Sequence, residues 1–114
     1  MAPPAQAWGS PVEVERRRRI RIALWAYAYE MRDNPLVSDA EFDREALLVQ
    51  PEMSTGHAKL DRFFREEFAP HTGQWIYKHP ELHKVVALYR RLTSDRHDNV
   101  LITRHLSGEP TGRP

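Results

Sequence analysis

Cysteine is absent from all 114 residues, which excludes disulfides, iron–sulfur clusters, thiolate zinc sites and cysteine nucleophiles together. Long apolar runs are missing too. Nothing approaches the roughly 18 consecutive residues that a membrane span needs. The opening MAPPAQAWGSP has no basic stretch followed by an apolar one, so it does not read as a secretory signal, and the expectation is a soluble, cytoplasmic product. Glycines number only five, and none belongs to a glycine-rich phosphate loop. Neither sign of charge dominates: 17 Lys and Arg face 16 Asp and Glu, so no global field draws the chain onto nucleic acid or anionic lipid.

What is present suits one small domain. Leu, Ile, Val and Phe make up little more than a fifth of the chain, just above the composition at which disorder becomes the default. Proline, glycine and other small residues crowd both ends, so residues 1–9 and 107–114 are expected to be disordered around a single helical domain at 10–106. The fold class expected is all-α, with four to five helices built on an N-terminal helical hairpin.

Helix signals run through that domain. Ser10-Pro11-Val12-Glu13 reads as a capping box with proline at the first helical position. The helix it opens has Ile20, Leu24, Tyr27 and Met31 at helical spacing, and Ile22, Trp25 and Tyr29 on a second flank. It should stop near Asp33-Asn34-Pro35, because proline excludes the helical region for the residue before it. A second capping box, Ser38-Asp39-Ala40-Glu41, starts a short helix ending near Val49. A third is expected from about Gly56 to Ala69, burying Leu60, Phe63, Phe64 and Phe68. Gln74-Trp75-Ile76-Tyr77 is the one segment that reads as extended, although too short to found a sheet. Pro80 opens a last helix with Leu82, Val85, Val86, Tyr89 and Leu92 on one side, and Ser94-Asp95 leaves open whether it continues or re-caps.

The stretch Tyr27 to Asp43, YAYEMRDNPLVSDAEFD, carries the most chemistry. It joins the first two helices by a short turn. Tyr29 and Glu30 end the first helix, while Asp39 and Asp43 lie four apart on the second and therefore share a face. With Phe42 at the seam, an aromatic ring sits beside two hydrogen-bond acceptors, an arrangement suited to a planar amide-bearing ring or a ribose. Trp25 and Trp75 are placed to supply walls. A purely structural account competes: an aspartate in a first helical turn is favoured by the helix dipole, and Tyr29 would then be core.

This segment resembles the small N-terminal helical domain, often called Ia, of bacterial NAD-dependent DNA ligases. There a Tyr-His pair is followed, after a turn, by a signature of the form D-P-x-x-S/P-D-A-E-Y-D. The matching residues are Tyr29-Glu30, Asn34-Pro35 and Ser38-Asp39-Ala40-Glu41-Phe42-Asp43. The resemblance implies that Tyr29 stacks on a nicotinamide and that Asp39 and Asp43 bind the attached ribose, with nicotinamide mononucleotide, NAD or nicotinamide riboside as ligand. Two positions depart, Glu30 for His and Phe42 for Tyr, and a carboxylate at position 30 repels a phosphate. Most of residues 20–92, including Thr72-Gly73-Gln74-Trp75-Ile76, also resembles small phage and prophage proteins that begin with such a ligase-like pair; that likeness implies no particular activity.

The chain is too short to hold the nucleotidyltransferase and OB domains that a ligase requires. Lys59-Leu60-Asp61-Arg62 superficially matches an adenylation motif, but arginine replaces its glycine and the pattern is helical, so Lys59 and Asp61 are expected to be solvated. His79 and His83 have the spacing of a helical ligand pair, yet Glu81 is out of place for H-E-x-x-H and no third ligand is evident. His79 is expected to cap a helix or pack against Trp75; no metal is expected. Arg16-Arg17-Arg18-Arg19 is the dense basic run. It is a candidate phosphate contact or a solvated helix end, since consecutive residues spread around a helix. The expectation is a small phage-type accessory protein that binds a nicotinamide nucleotide or nucleoside at Trp25, Tyr29, Glu30, Asp39, Phe42 and Asp43 without catalysis. The alternatives are an interaction module of phage or host DNA metabolism, contacting a replication protein or DNA, and an enzyme using Glu30 with Asp39 or Asp43 on a glycosidic bond.

Overall fold

The computed structural model describes residues 9–107, with side chains through residue 94; the two expected disordered ends therefore lie almost wholly outside the described residues. Helix α1, Pro11–Arg32, begins as its sequence predicts, with the Ser10 side chain accepting the Glu13 amide at 3.3 Å. It ends at Asp33, whose left-handed backbone (φ 50°, ψ 41°) turns the chain. The Asn34 amide donates to the Ala28 carbonyl at 2.9 Å, and the Asn34 side chain donates to the Tyr89 hydroxyl at 2.9 Å. Helix α2, Asp39–Leu48, starts in the same way, Ser38 accepting the Glu41 amide at 3.1 Å.

Helix α3, Ala58–Glu66, is shorter than expected at both ends. Gly56 takes φ +91°, outside the helical region, so the cap passes to His57, whose Nδ1 accepts the Leu60 amide. Gln74–Lys78 is a 3-10 helix, correcting the extended reading. Adjacent residues on a strand face opposite ways, whereas Trp75 and Ile76 are both buried, and short i to i+3 bonds close the turn (Ile76 N to Gly73 O, 3.1 Å). Helix α4, Leu82–Ser107, runs unbroken through Ser94-Asp95.

The described residues form no strand, and the chain is an all-α fold. Helix α1 is the centre, meeting α2, the 3-10 helix and α4. Its alanines at 23, 26 and 28 are buried with Ile22, Leu24 and Tyr27, which lets neighbours approach on several sides. Phe63 and Phe64 lead a cluster of rings with Phe68, Trp75 and His79. Ile20 and Leu92 are not core but half exposed, at 54% and 49%. The buried stripe of α1 instead passes through two charged residues.

One of them, Arg19, belongs to the arginine run and is not at a solvated helix end. Arg19 is 4% exposed and Glu15 fully buried. The Arg19 guanidinium donates to Glu15 Oε2 (2.8 Å), Asp61 Oδ1 (2.9 Å), Gln50 O (2.8 Å) and Met53 O (3.1 Å), and lies 4.9 Å from the Phe64 ring centre. Glu15 Oε2 also accepts the Gln50 amide. Arg18 pairs with Glu15 and Glu45, and Arg16 donates to the Thr55 carbonyl. Arg17 pairs with Glu13 at 3.6 Å. The run is thus divided: Arg18 and Arg19 turn inward, while Arg16 and Arg17 stay about half exposed. Four consecutive arginines spread round the helix, and the inward two meet acids folded against them.

Asp61 is likewise buried rather than solvated. Burial acts to raise its pKa, but the Thr55 hydroxyl (2.6 Å), the Thr55 amide (2.9 Å) and Arg19 outweigh it and hold the carboxyl below its usual range.

His79 lies in the turn before α4, not at its N-cap: its Nδ1 accepts the Glu81 amide at 3.0 Å, and its ring meets Phe63 and Phe64. Burial lowers its pKa to about 4 against the opposing pull of Glu81. The unfolded chain therefore binds a proton near pH 6.5 that the folded chain refuses. Stability is full above pH 6.5 and falls as pH drops towards 4. The whole shift corresponds to about 3 kcal/mol, reduced to about 1–2 kcal/mol because the ring is partly solvated. Urea unfolding at a series of pH values checks this, and His79→Asn, which keeps an acceptor for the Glu81 amide, should flatten the slope.

Candidate ligand-binding site

The turn at Asp33–Val37 folds α2 back beside the end of α1 and leaves a crevice of about 340 Å³ between them. Trp25 and Tyr29 are four apart on α1 and so share a face, with Glu30 beside them. Asp39, Phe42 and Asp43 are the i, i+3 and i+4 positions of α2 and make the opposite wall. All six residues singled out from the sequence line this one cavity, together with the turn residues Pro35, Leu36 and Val37. Tyr29 is not core: it is 53% exposed. Trp25 and Phe42 are partly buried, their inner edges packed on the core.

A third wall has no counterpart in the sequence reading. His71, Thr72 and Gly73 arrive from the loop before the 3-10 helix. Trp75, expected as a wall, is instead 5% exposed beneath this loop, and its Nε1 donates to the Thr72 carbonyl at 2.7 Å. The Thr72 hydroxyl accepts the Gln74 amide at 3.1 Å. Gly73 allows the close approach, because a Cβ there would meet Ala26 Cβ at 3.3 Å and Glu30 Cγ at 3.4 Å. Outside the lining, the Tyr77 hydroxyl donates to the Glu30 carbonyl at 3.0 Å and ties the 3-10 helix to the end of α1. The threonine–glycine pair signals a break in sequence, but only the tertiary fold brings it to α1.

Among the described residues, no lysine or arginine lines the crevice; its charged groups are Glu30, Asp39 and Asp43, with His71 beside them. Such a site offers aromatic faces to a flat ring and carboxylate acceptors to hydroxyl or amide donors. Among the described residues no group of three or more metal-ligating side chains comes together, and no helix is long and apolar enough to cross a membrane. Compared with known protein families, curated proteins and solved structures, the chain matches none.

Proposed function

We propose that this crevice binds a nicotinamide nucleoside or nucleotide, as an accessory module without catalysis. The observation that carries the reading is that an exposed tyrosine and the acceptors of α2 face one cavity across the helical hairpin. Tyr29 and Trp25 supply the faces on which the ring stacks. Asp39 and Asp43, exposed at the start of α2, accept from the ribose hydroxyls.

Glu30 and the lack of any lysine or arginine in the lining argue against a phosphate-driven site. Nicotinamide riboside should therefore bind at least as tightly as nicotinamide mononucleotide. Calorimetry with riboside, mononucleotide and NAD tests this; silence from all three at millimolar concentration overturns the reading, and Tyr29→Ala should weaken the riboside about tenfold. The competing reading, an interaction module contacting protein or DNA through Arg16–Arg19, draws less support because Arg18 and Arg19 are committed to internal acids.

A further inference from the structure

Glu13, Glu15, Glu45, Asp61 and Glu81 each have an arginine, lysine or histidine partner. Among the described residues, the exposed Asp33, Glu41 and Glu52 have no ion pair, and neither do Glu30, Asp39 and Asp43, the three carboxylates that the crevice gathers into one cavity. The cations nearest in sequence do not compensate them. Arg32 turns to the Tyr89 ring, 5.6 Å from its centre, and Arg44, although exposed, is outside the lining. Among the described residues, the crevice thus gathers three carboxylates beside aromatic walls with no lysine or arginine in its lining.

We infer that the crevice selects its ligand by charge, taking a flat heterocycle that carries a delocalised positive charge and discriminating against the neutral form of the same molecule. The inference rests on the nicotinamide reading only for the sugar and amide; the charge preference follows from the lining itself. Two effects act in the same direction. The faces of Trp25 and Tyr29 attract a cation through the ring quadrupole, and the attraction grows as the site loses water. The three carboxylates add a Coulomb term that survives in part because the walls are protein rather than solvent. A neutral ring of equal size keeps the dispersion contact and loses both. An anionic phosphate on the ligand opposes the second term, which is why the unphosphorylated cation is the best fit.

The test compares nicotinamide riboside, a pyridinium cation, with its reduced dihydro form, which is neutral and keeps the same sugar and amide. The full chain is titrated with each by calorimetry or by ligand-observed NMR. The cation should bind about tenfold more tightly at low ionic strength, and the ratio should shrink as salt is raised. The double variant Asp39→Asn, Asp43→Asn keeps hydrogen-bonding oxygens while removing two charges, so the ratio should move towards one with some binding of both ligands retained. Circular dichroism melts establish that the variant is folded; Glu30→Gln, outside the first turn of α2, gives a second reading of the same effect.

N-methylquinolinium, a flat cation without amide or sugar, separates the two claims. Equal affinity for cation and neutral riboside overturns the charge inference and leaves the nicotinamide reading standing. No binding of either riboside, with N-methylquinolinium bound and lost in the Asn variants, overturns the nicotinamide reading and supports charge selection. No binding of any of the three overturns both.

Discussion

Arg19→Ala should lower the unfolding free energy by about 3–5 kcal/mol, the usual cost of removing one member of a buried ion pair. The magnitude comes from what is left behind. Glu15 is fully buried and Asp61 nearly so, and the carbonyls of Gln50 and Met53 lose the same donor. Against the roughly 5–15 kcal/mol total of a small domain, a loss of that size removes a large share of the stability. Arg19→Lys should rescue poorly, because one ammonium cannot reproduce four directed contacts from a planar fork. Arg17→Ala, at a half-exposed pair with Glu13, should cost no more than about 1 kcal/mol. Urea denaturation of the three variants decides the matter. A loss below about 1 kcal/mol for Arg19→Ala would place Arg19 with ordinary surface pairs.

Trp75→Ala should cost about 3–5 kcal/mol through the cavity it leaves among Phe63, Phe64 and Phe68. Those rings lie 5.1–6.0 Å from it, centre to centre. Trp75→Phe is the informative partner. It restores most of the ring volume but drops the Nε1 bond to Thr72, so global stability should fall by only about 1–2 kcal/mol. Hydrogen exchange of the amides at 71–74 should nonetheless quicken, since the loop loses the bond that fixes it from below. Unchanged exchange in this segment would mean that Gly73 packing against α1 is sufficient to hold the third wall.

Much of the fold was legible because local rules and tertiary demands agreed. Ser10 and Ser38 each begin a helix at the residue their capping boxes mark, and Asp33-Asn34-Pro35 ends α1 where proline requires. The two-helix part of the candidate site was legible for the same reason: helical spacing alone puts Trp25 with Tyr29, and Asp39 with Asp43. What escaped sequence reading depends on residues distant in the chain. The arginine run reads as solvent-facing because several of its acceptors, at Gln50, Thr55 and Asp61, lie 31–42 residues away. Ile20 reads as core because spacing cannot reveal that a guanidinium occupies the buried stripe. The 3-10 helix escapes because its five residues are too few to show a period. His71 is brought to the crevice by a loop whose path is set by Trp75 and Gly73.

The two halves of α1 do separate jobs. Its N-terminal half carries the buried arginine–carboxylate network, and its C-terminal half presents the crevice. Arg19 and Tyr29 are ten positions apart, which on a helix is about 15 Å, beyond the roughly 7–10 Å over which substitutions usually influence one another. Specificity at one end can therefore drift, through changes at Tyr29 or Glu30, while robustness at the other stays constant. A single rigid rod gives this protein two independently adjustable properties.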